Sequence, residues 1–421
     1  MGKPDLRSYR SYLRILRLFA AIVLCALLRP CVPAGAQELP SQAPAASFEG
    51  LPGERVLCGS PAPGALITPK SPERRVDPKY SQSYAAVCDA YAGADIGPGG
   101  KPGSFRRKFE VCGPDAASLP TVQRVARQLL TLYGEVHSRL RLDHSLADGT
   151  VHVWLTRQSG AGASSDAGGE QFKDQIYIYD LYAERRPIEW LRETAHEYGH
   201  FILPGVSGFK EPENWANGIL GERLMLRWLR DDLRTERIRP DDAPLASAAE
   251  IDEYVSKQVD PLLRRIAAEG TDDRAIARKD ARGMDAYTGF AVYIDAVYGD
   301  AGLLAAMTYS APSQAQSFVL APDFLRGALA SLQAASEILI GPPFTDRERE
   351  TFMVYLPRGD YIVSADPDLR SWDFGSERGV HVLSKTSLIV ASGDWRMVTL
   401  TLRKTGAPTR LRLQRRGSEV Q

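Results

Sequence analysis

Two histidines stand four residues apart in the run His196-Glu197-Tyr198-Gly199-His200. On a helix, residues four apart lie on one face about one turn from each other, so both imidazoles can bind the same metal ion. Neutral imidazole nitrogen is a common ligand of zinc, and we therefore predict Zn2+ as the cofactor, with His196 and His200 as ligands. Glu197 lies beside the first histidine, where its carboxylate can take a proton from a water activated by the metal and pass it to a leaving group.

A catalytic zinc needs one further protein ligand and an open position for water. The next histidine in the chain is His381, so we expect a carboxylate from a following helix. A helix is predicted from Trp215 to about Leu233, with apolar residues at positions 215, 219, 226, 229 and 233 and with Glu222 in the gap of this stripe. A carboxylate on a buried stripe is costly unless it is paired or bound to a metal. Glu222 is therefore the predicted third ligand; pairing with an arginine is its alternative role, and Glu213 at the expected helix start is the alternative ligand.

The elements around the motif can be predicted from their hydrophobic periodicity. A helix follows Pro120-Thr121 and reaches Leu140, and the motif itself lies on a helix that Pro187 opens near its first turn. Alternating residues predict strands at Val151–Thr156 and Gln175–Leu181, with a Gly/Ala/Ser-rich loop over Gly160–Gly169 between them. The chain from residue 187 to 332 is predicted to be mostly helical.

These motifs resemble those of gluzincin-type zinc metallopeptidases, the peptidase-MA-like group that carries His-Glu-x-x-His. The resemblance covers roughly Val151 to Met307 and includes the strands, the motif helix, the tryptophan-led second helix and the run Tyr287-Thr288-Gly289-Phe290. In that group a helix that begins with Trp-x-x-Glu-Gly commonly supplies the zinc-binding glutamate. That glutamate position falls on Gly218 here, and Glu222 lies one turn later.

The resemblance also implies an activity, hydrolysis of a peptide bond in a peptide or protein substrate. Related enzymes place a tyrosine on a later helix to stabilise the oxyanion, and Tyr287 is the residue expected in that role here; a half-buried helix tyrosine is the alternative. Gln175–Leu181 would be the edge strand that borders the cleft and aligns an extended peptide, and the loop at Gly160–Gly169 would form a mobile rim.

The expected fold class is α+β, with a zincin-like, mostly helical domain that contains a small mixed sheet, followed by a small all-β domain of sandwich-like type. The period of the hydrophobic pattern changes to two from about Phe344 onward, which indicates strands. We predict the following boundaries: a signal peptide at 1–36, an irregular Gly/Pro-rich segment at 37–118, the metallopeptidase domain at 119–340 and the β domain at 341–421. The pattern does not decide whether 37–118 is a pro-region or what the β domain binds.

Residues 1–36 have the layout of a secretory signal peptide: a basic start, an apolar run from Leu18 to Leu28, and Ala34-Gly35-Ala36 as the cleavage site. The apolar run is shorter than the ~20 residues of a membrane-spanning helix, so we expect no stable membrane span after cleavage and a secreted or periplasmic location. Cys58, Cys88 and Cys112 would remain, and one disulfide with one free thiol is expected in an oxidising compartment. The spacing does not say which two cysteines pair.

Composition limits the other function classes. The chain has 52 basic and 52 acidic residues, a balance that argues against a nucleic-acid-binding protein, and 44% hydrophobic residues, enough for a packed core. The leading hypothesis is an exported zinc metallopeptidase. The alternative is a catalytically inactive exported protein that keeps the zincin fold and attaches to cell-wall or glycan material. The oligomeric state is left open.

Overall fold

A computed structural model gives the structure of the chain. The residues that it describes are 54–56, 65–70, 74–93, 105–140, 142–144, 149–158, 168–238, 246–299, 302–303, 306, 308–309, 318–319, 322–334, 337–344, 349–356, 358–366, 372–376, 379–384, 386–391, 396–403 and 409–416. All of them belong to one compact unit, Leu51–Gln421. The expected signal peptide at 1–36 and the loop at 160–167 lie outside the described residues.

A seven-stranded mixed sheet forms the first half of the fold, in the strand order β1-β2-β5-β6-β7-β9-β8. The strands up to residue 178 are β1 (Glu54–Val56), β2 (Ala65–Pro69), β3 (Arg75–Val76), β4 (Ser83–Tyr84), β5 (Ala86–Gly93), β6 (Phe105–Gly113), β7 (Val151–Leu155), β8 (Gly169–Phe172) and β9 (Gln175–Ile178). β6, β7 and β9 are parallel to one another, and β8 returns antiparallel to β9. β3 and β4 form a separate hairpin.

Helices make up most of the chain between the sheet and the C-terminal strands. They are α1 (Leu119–Leu140), α2 (Pro187–Ile202), α3 (Asn217–Arg234), α4 (Ala248–Gln258), α5 (Asp260–Glu269), α6 (Asp273–Arg278), α7 (Ala281–Tyr298) and α8 (Pro322–Ala334). α1 packs on β5 and β6, and α2 packs on α1, α3 and β8. The helices that the sequence predicts at Pro120–Leu140 and after Pro187 are confirmed.

One core cluster joins the sheet to the helices. Val125 and Leu129 of α1, Val153 of β7 and Leu191 of α2 are all fully buried in it. These positions follow the helical and strand periodicities of the sequence, which explains why the strand at Val151–Thr156 could be predicted. The apolar face of α2 is thereby fixed against the sheet, and the opposite face carries the two histidines of the motif.

The N-terminal segment differs from the sequence-based expectation. Residues 37–118 were expected to be irregular, but β5 and β6 are long strands in the middle of the sheet. The sequence of β5 and β6 does not show the hydrophobic pattern of a strand, because each contains a buried charged residue, Asp89 on β5 and Glu110 on β6. Lys70 directly follows β2, and its Nζ lies 2.8 Å from Oδ2 of Asp89, so it compensates the charge of that carboxylate. The sheet of the fold therefore begins well before residue 119.

The edge of the sheet also differs from the expectation. β9 is paired on both sides, with β7 and β8, so the strand at Gln175–Ile178 is not an edge strand. The edge is β8, Gly169–Phe172, a four-residue strand. It begins where the sequence predicts the end of a flexible loop, and its residues show no hydrophobic alternation that would have identified it.

Antiparallel strands dominate from residue 337 to 416, as the change of period predicts. After the short pair β10 (Thr308–Tyr309) and β11 (Phe318–Val319), they are β12 (Glu337–Phe344), β13 (Arg349–Leu356), β14 (Gly359–Asp366), β15 (Trp372–Ser376), β16 (Val380–Ser384), β17 (Ser387–Val390), β18 (Arg396–Arg403) and β19 (Thr409–Arg416). They form a five-stranded sheet, β12-β19-β14-β17-β16, and a three-stranded sheet, β13-β18-β15.

The cysteines do not form the expected disulfide within the described residues. Cys88 and Cys112 are both buried free thiols, and Cys58 lies outside the described part of the chain. In the β5–β6 ladder Cys88 is opposite Val111, so Cys112, one residue further along, points to the other face of the sheet. Among the described helices, none combines the length and the apolar character needed to cross a membrane.

Candidate metal centre

Helix α2 presents both histidines of the motif on one face. Pro187 occupies its first turn, and Glu189 accepts a hydrogen bond from the backbone N–H of Arg186 at 3.0 Å, so the helix start is capped. The imidazole rings of His196 and His200 lie 4.9 Å apart between centroids. The helix therefore brings the two rings together in the way that the i, i+4 spacing predicts.

A single carboxylate oxygen lies between the two rings. Oε2 of Glu213 is 3.0 Å from Nε2 of His196 and 3.1 Å from Nε2 of His200. Its other oxygen, Oε1, accepts a hydrogen bond from the backbone N–H of Ile219 at 3.3 Å. A zinc ion about 2.0–2.2 Å from each of three tetrahedral ligands places them roughly 3.3 Å apart, close to the separations seen here. The three side chains therefore have the geometry of a metal-binding triad.

Glu213 lies in a loop, not at a helix start as the sequence suggested. α3 begins at Asn217, and the preceding loop is closed by its own backbone hydrogen bonds. The N–H of Phe209 donates to the carbonyl of Asn214 at 3.2 Å, and the N–H of Ala216 donates to the carbonyl of Val206 at 2.9 Å. Because these groups are already paired with one another, residues before 217 do not continue the helix, and the loop turns Glu213 toward the histidines.

Asn217 orients the imidazole of His200 and places a proton on its Nδ1. Its amide nitrogen donates to the backbone carbonyls of His200 at 2.9 Å and Leu203 at 3.3 Å, which determines the orientation of the amide. Its oxygen then faces Nδ1 of His200 at 2.9 Å and must accept a hydrogen bond from it. With a proton on Nδ1, the nitrogen that faces Glu213 is Nε2, and this is the nitrogen left to bind a metal ion.

Glu222, the predicted third ligand, lies on the other side of His196. Its Oε2 is 3.5 Å from Nδ1 of that ring, so it faces the nitrogen that points away from Glu213. Its Oε1 accepts hydrogen bonds from Nε of Arg192 at 2.6 Å and from the hydroxyl of Tyr254 at 2.7 Å. Glu222 is buried, as expected, but an arginine, a tyrosine and an imidazole compensate its charge. It contacts a ligand from behind, a position typical of carboxylates that orient metal-binding histidines.

Glycines let α3 approach α2 closely enough for this arrangement. A β-carbon added to Gly221 would lie 2.5 Å from Cα of Gly199, and one added to Gly199 would lie 2.7 Å from the carbonyl oxygen of Asn217. A β-carbon on Gly218 would lie 2.7 Å from Nε2 of His196 and nearer still to Nε2 of His200. The position at which the gluzincin pattern has a glutamate therefore has no room for a side chain.

Glu197 is next to the triad and is almost completely buried, with 4% of its surface exposed. Its Oε2 has no hydrogen-bond partner among the described residues. The edge strand β8 covers it, because a β-carbon on Gly169 would lie 2.8 Å from Cδ of Glu197. Burial raises the pKa of Glu197 to about 7, although the positive charge of the two histidines acts in the opposite direction.

The site is rich in negative charge. Its carboxylates are Glu193, Glu197, Glu213 and Glu222. Burial alone would raise the pKa of Glu213, but hydrogen bonds from the two imidazoles lower it to about 2. Burial alone would likewise lower the pKa of His196, but its hydrogen bonds to Glu213 and Glu222 raise it well above the usual value. Both shifts indicate a site that stabilises positive charge between these side chains.

Tyr287, the expected oxyanion donor, is fully buried in α7. Its ring packs against Phe209 at a centroid distance of 5.8 Å, and Phe209 belongs to the loop that carries Glu213. Burial raises the pKa of its hydroxyl. Tyr287 thus supports the ligand loop, and its role toward an oxyanion stays a prediction.

Two contributions to the site were missed by the sequence analysis. Asn217 gave no signal because an asparagine near a helix start is usually a cap. The contact of Gly169 with Glu197 joins residues of an edge strand and a helix, and periodicity carries no information about such pairs. Glu213 had one signal, its position directly after Pro212, a residue that often stands in turns.

No protein-family model matches the chain, and a search of the curated proteins found no match. The resemblance to gluzincins therefore stays a prediction.

Proposed function

We propose that the chain is an exported zinc metallopeptidase in which His196, His200 and Glu213 bind the metal and Glu197 is the general base. One observation carries the proposal: both Nε2 atoms converge on one carboxylate oxygen of Glu213, beside a buried glutamate with an unpartnered oxygen. The proposal replaces Glu222 by Glu213 as the third ligand.

The donor set fits zinc. Two imidazole nitrogens and one carboxylate oxygen are a common ligand set of catalytic zinc. With a proton of His200 on Nδ1, its Nε2 faces a carboxylate oxygen of Glu213 at 3.1 Å, so either a second proton or a metal ion must lie between these two atoms. One metal ion satisfies all three ligand atoms at once. A zinc ion held there would polarise the scissile carbonyl and lower the pKa of water.

Glu197 has the properties of a general acid and base. A carboxyl group with a pKa near neutrality can take a proton from the attacking water and return it to the leaving nitrogen. Because the side chain is buried and its Oε2 makes no hydrogen bond within the described part of the chain, this oxygen has no partner there that would compete with proton transfer. Asn217 and Glu222 would act through the ligands by holding the rings of His200 and His196 in place.

The fold and substrate follow from the same proposal. We infer a zincin-like arrangement, in which strands precede the motif helix and a second helix crosses it, and a sandwich-like arrangement of the C-terminal sheets. The outer edge of β8 is unpaired in the described part of the sheet, and β8 contacts Glu197 through Gly169. An extended segment of a peptide or protein substrate would therefore add to β8, not to the strand at Gln175.

The decisive experiment separates metal binding from chemistry. Glu197→Gln should retain one zinc per chain, measured by elemental analysis, and should lose at least a hundredfold in kcat on a peptide library. Glu253→Gln, which changes an exposed glutamate on α4, is the matched control and should retain full activity. Equal activity of Glu197→Gln and the wild type would refute the mechanism, and absence of zinc after purification would favour the inactive binding protein.

A further inference from the structure

An exposed tryptophan stands beside the metal centre. Trp215 has 49% of its surface exposed, although an indole is among the side chains that gain most from burial. It lies two residues after Glu213 and two residues before Asn217, so it belongs to the segment that supplies one ligand and orients another. Two residues span at most about 7 Å, which keeps its backbone close to the backbone of Glu213.

The ring of Trp215 packs against Gly205. A β-carbon added to Gly205 would lie 2.8 Å from Cε3 and 2.9 Å from Cζ3 of the indole, and 3.5 Å from the amide nitrogen of Asn217. Gly205 therefore provides a flat backbone surface on which the six-membered ring rests. The closed loop from 206 to 216 restrains the backbone below the ring. About half of the Trp215 surface, 49%, is exposed to solvent.

We propose that Trp215 is a specificity-determining residue that binds a large apolar or aromatic side chain of the substrate next to the cleaved bond. This inference rests on the proposed peptidase function. In an extended peptide, the side chains that flank the scissile bond lie within a few ångströms of it. The indole lies beside the residue that holds His200, because the ring of Trp215 and the amide nitrogen of Asn217 are both within 3.5 Å of the β-carbon position at Gly205. Contact with an apolar side chain would bury the exposed part of the indole, and an aromatic side chain would gain ring–ring contact in addition.

The substrate class follows from this contact. Peptides with Phe, Tyr, Trp or Leu at one of the two positions that flank the bond should be preferred over peptides with Ala or Gly there. The contact concerns one side chain, so the expected preference is about 10- to 100-fold in kcat/KM, the range found for filling one apolar subsite. Because the indole causes the preference, the quantity to measure is the ratio of kcat/KM between a peptide with the apolar residue and the peptide with Ala.

The test uses the full chain and three internally quenched peptides with the same sequence except at the central bond. One has Phe before the bond, one has Phe after it, and one has Ala at both positions. The wild type should cleave one Phe peptide about 10- to 100-fold more efficiently than the Ala peptide. Trp215→Ala should reduce this ratio below about threefold, and Trp215→Phe should restore most of it. Leu383→Ala, which removes another exposed apolar side chain, should leave the ratio unchanged. A ratio that is the same in Trp215→Ala and the wild type overturns the proposal.

A binding measurement separates this inference from the proposed function. The same peptides are titrated calorimetrically into zinc-supplemented Glu197→Gln and into the double variant that also carries Trp215→Ala. If the wild type cleaves nothing but the Phe peptide binds more than tenfold more weakly to the double variant, the apolar subsite stands and the peptidase proposal fails. If neither cleavage nor binding depends on Trp215, the subsite proposal is refuted, whatever the activity of the chain.

Discussion

Replacement of Gly218 by alanine tests the geometry of the site most directly. A β-carbon there would lie 2.7 Å from Nε2 of His196 and nearer to Nε2 of His200, while ordinary contacts begin at 3.4 Å. The first imidazole would have to retreat by about 0.7 Å and the second further. Zinc–ligand bonds vary by only about 0.2 Å, so Gly218→Ala should break at least one of them.

The size of the effect can be worked from typical zinc affinities. Structural zinc sites with four ligands bind with about 10–16 kcal/mol, which corresponds to about 2.5–4 kcal/mol for each ligand. Because 1.4 kcal/mol is a factor of ten, loss of one ligand should weaken zinc binding roughly 100- to 1,000-fold. The fold itself should survive, since the rings of His196 and His200 are partly exposed and can turn away.

The assay is a zinc titration of the chelator-treated chain against a competing dye, together with circular dichroism. Gly327→Ala on α8 is the matched control, because a β-carbon at that glycine meets no atom within 4 Å. It should keep the zinc affinity of the wild type and gain about 0.5–1 kcal/mol of helix stability. If Gly218→Ala is folded and binds zinc within threefold of the wild type, the two histidines do not form the site described here.

Three further predictions concern the ligand choice, the buried ion network and the acid stability of the chain. Glu213→Gln should weaken zinc binding about 100- to 1,000-fold, whereas Glu222→Gln should weaken it only about 10- to 100-fold; the reverse order in a zinc titration would restore Glu222 as the ligand. Tyr355→Phe should lower the free energy of unfolding by about 1–3 kcal/mol in denaturant titrations, because the Tyr355 hydroxyl accepts from Nη2 of buried Arg230 at 2.9 Å; an unchanged midpoint would contradict this. Burial lowers the pKa of His144 to about 4, so the unfolded chain, with a histidine pKa near 6.5, takes up the proton first as the pH falls. The contribution of His144 is therefore complete above pH 6.5 and about 2 kcal/mol smaller at pH 5; chelator-treated His144→Gln should lack this loss, and an equal loss in both chains would refute the assignment.

The parts of the fold that the sequence predicts are those with local signals. The helices at Leu119–Leu140 and Pro187–Ile202 and the strand at Val151–Leu155 have apolar residues at the spacing of their element. β5 and β6 lack this signal because Asp89 and Glu110 are buried on them and are compensated by partners distant in sequence, such as Lys70. A charged residue in a strand pattern indicates a loop unless its partner is known.

The site shows the same division between local and non-local information. The pair His196 and His200 is predicted completely, because one turn of helix fixes the distance between them. Glu213 depends on the path of a loop, and β8 depends on a contact between Gly169 and a side chain of α2. Neither follows from periodicity, and both required the packing of several elements.

The proposed replacement of Glu222 by Glu213 as the third ligand has a physical reason. A carboxylate on the apolar side of a helix must have its charge compensated, and this requirement correctly identified Glu222 as a buried residue of the site. The requirement is equally satisfied by a metal ion or by the Nε–H of Arg192 and the hydroxyl of Tyr254, which hold Glu222 here. Burial of a charge thus predicts that a partner exists but does not identify it. The close crossing of α2 and α3 leaves no room for a side chain at Gly218, and the carboxylate that reaches both Nε2 atoms comes from the preceding loop.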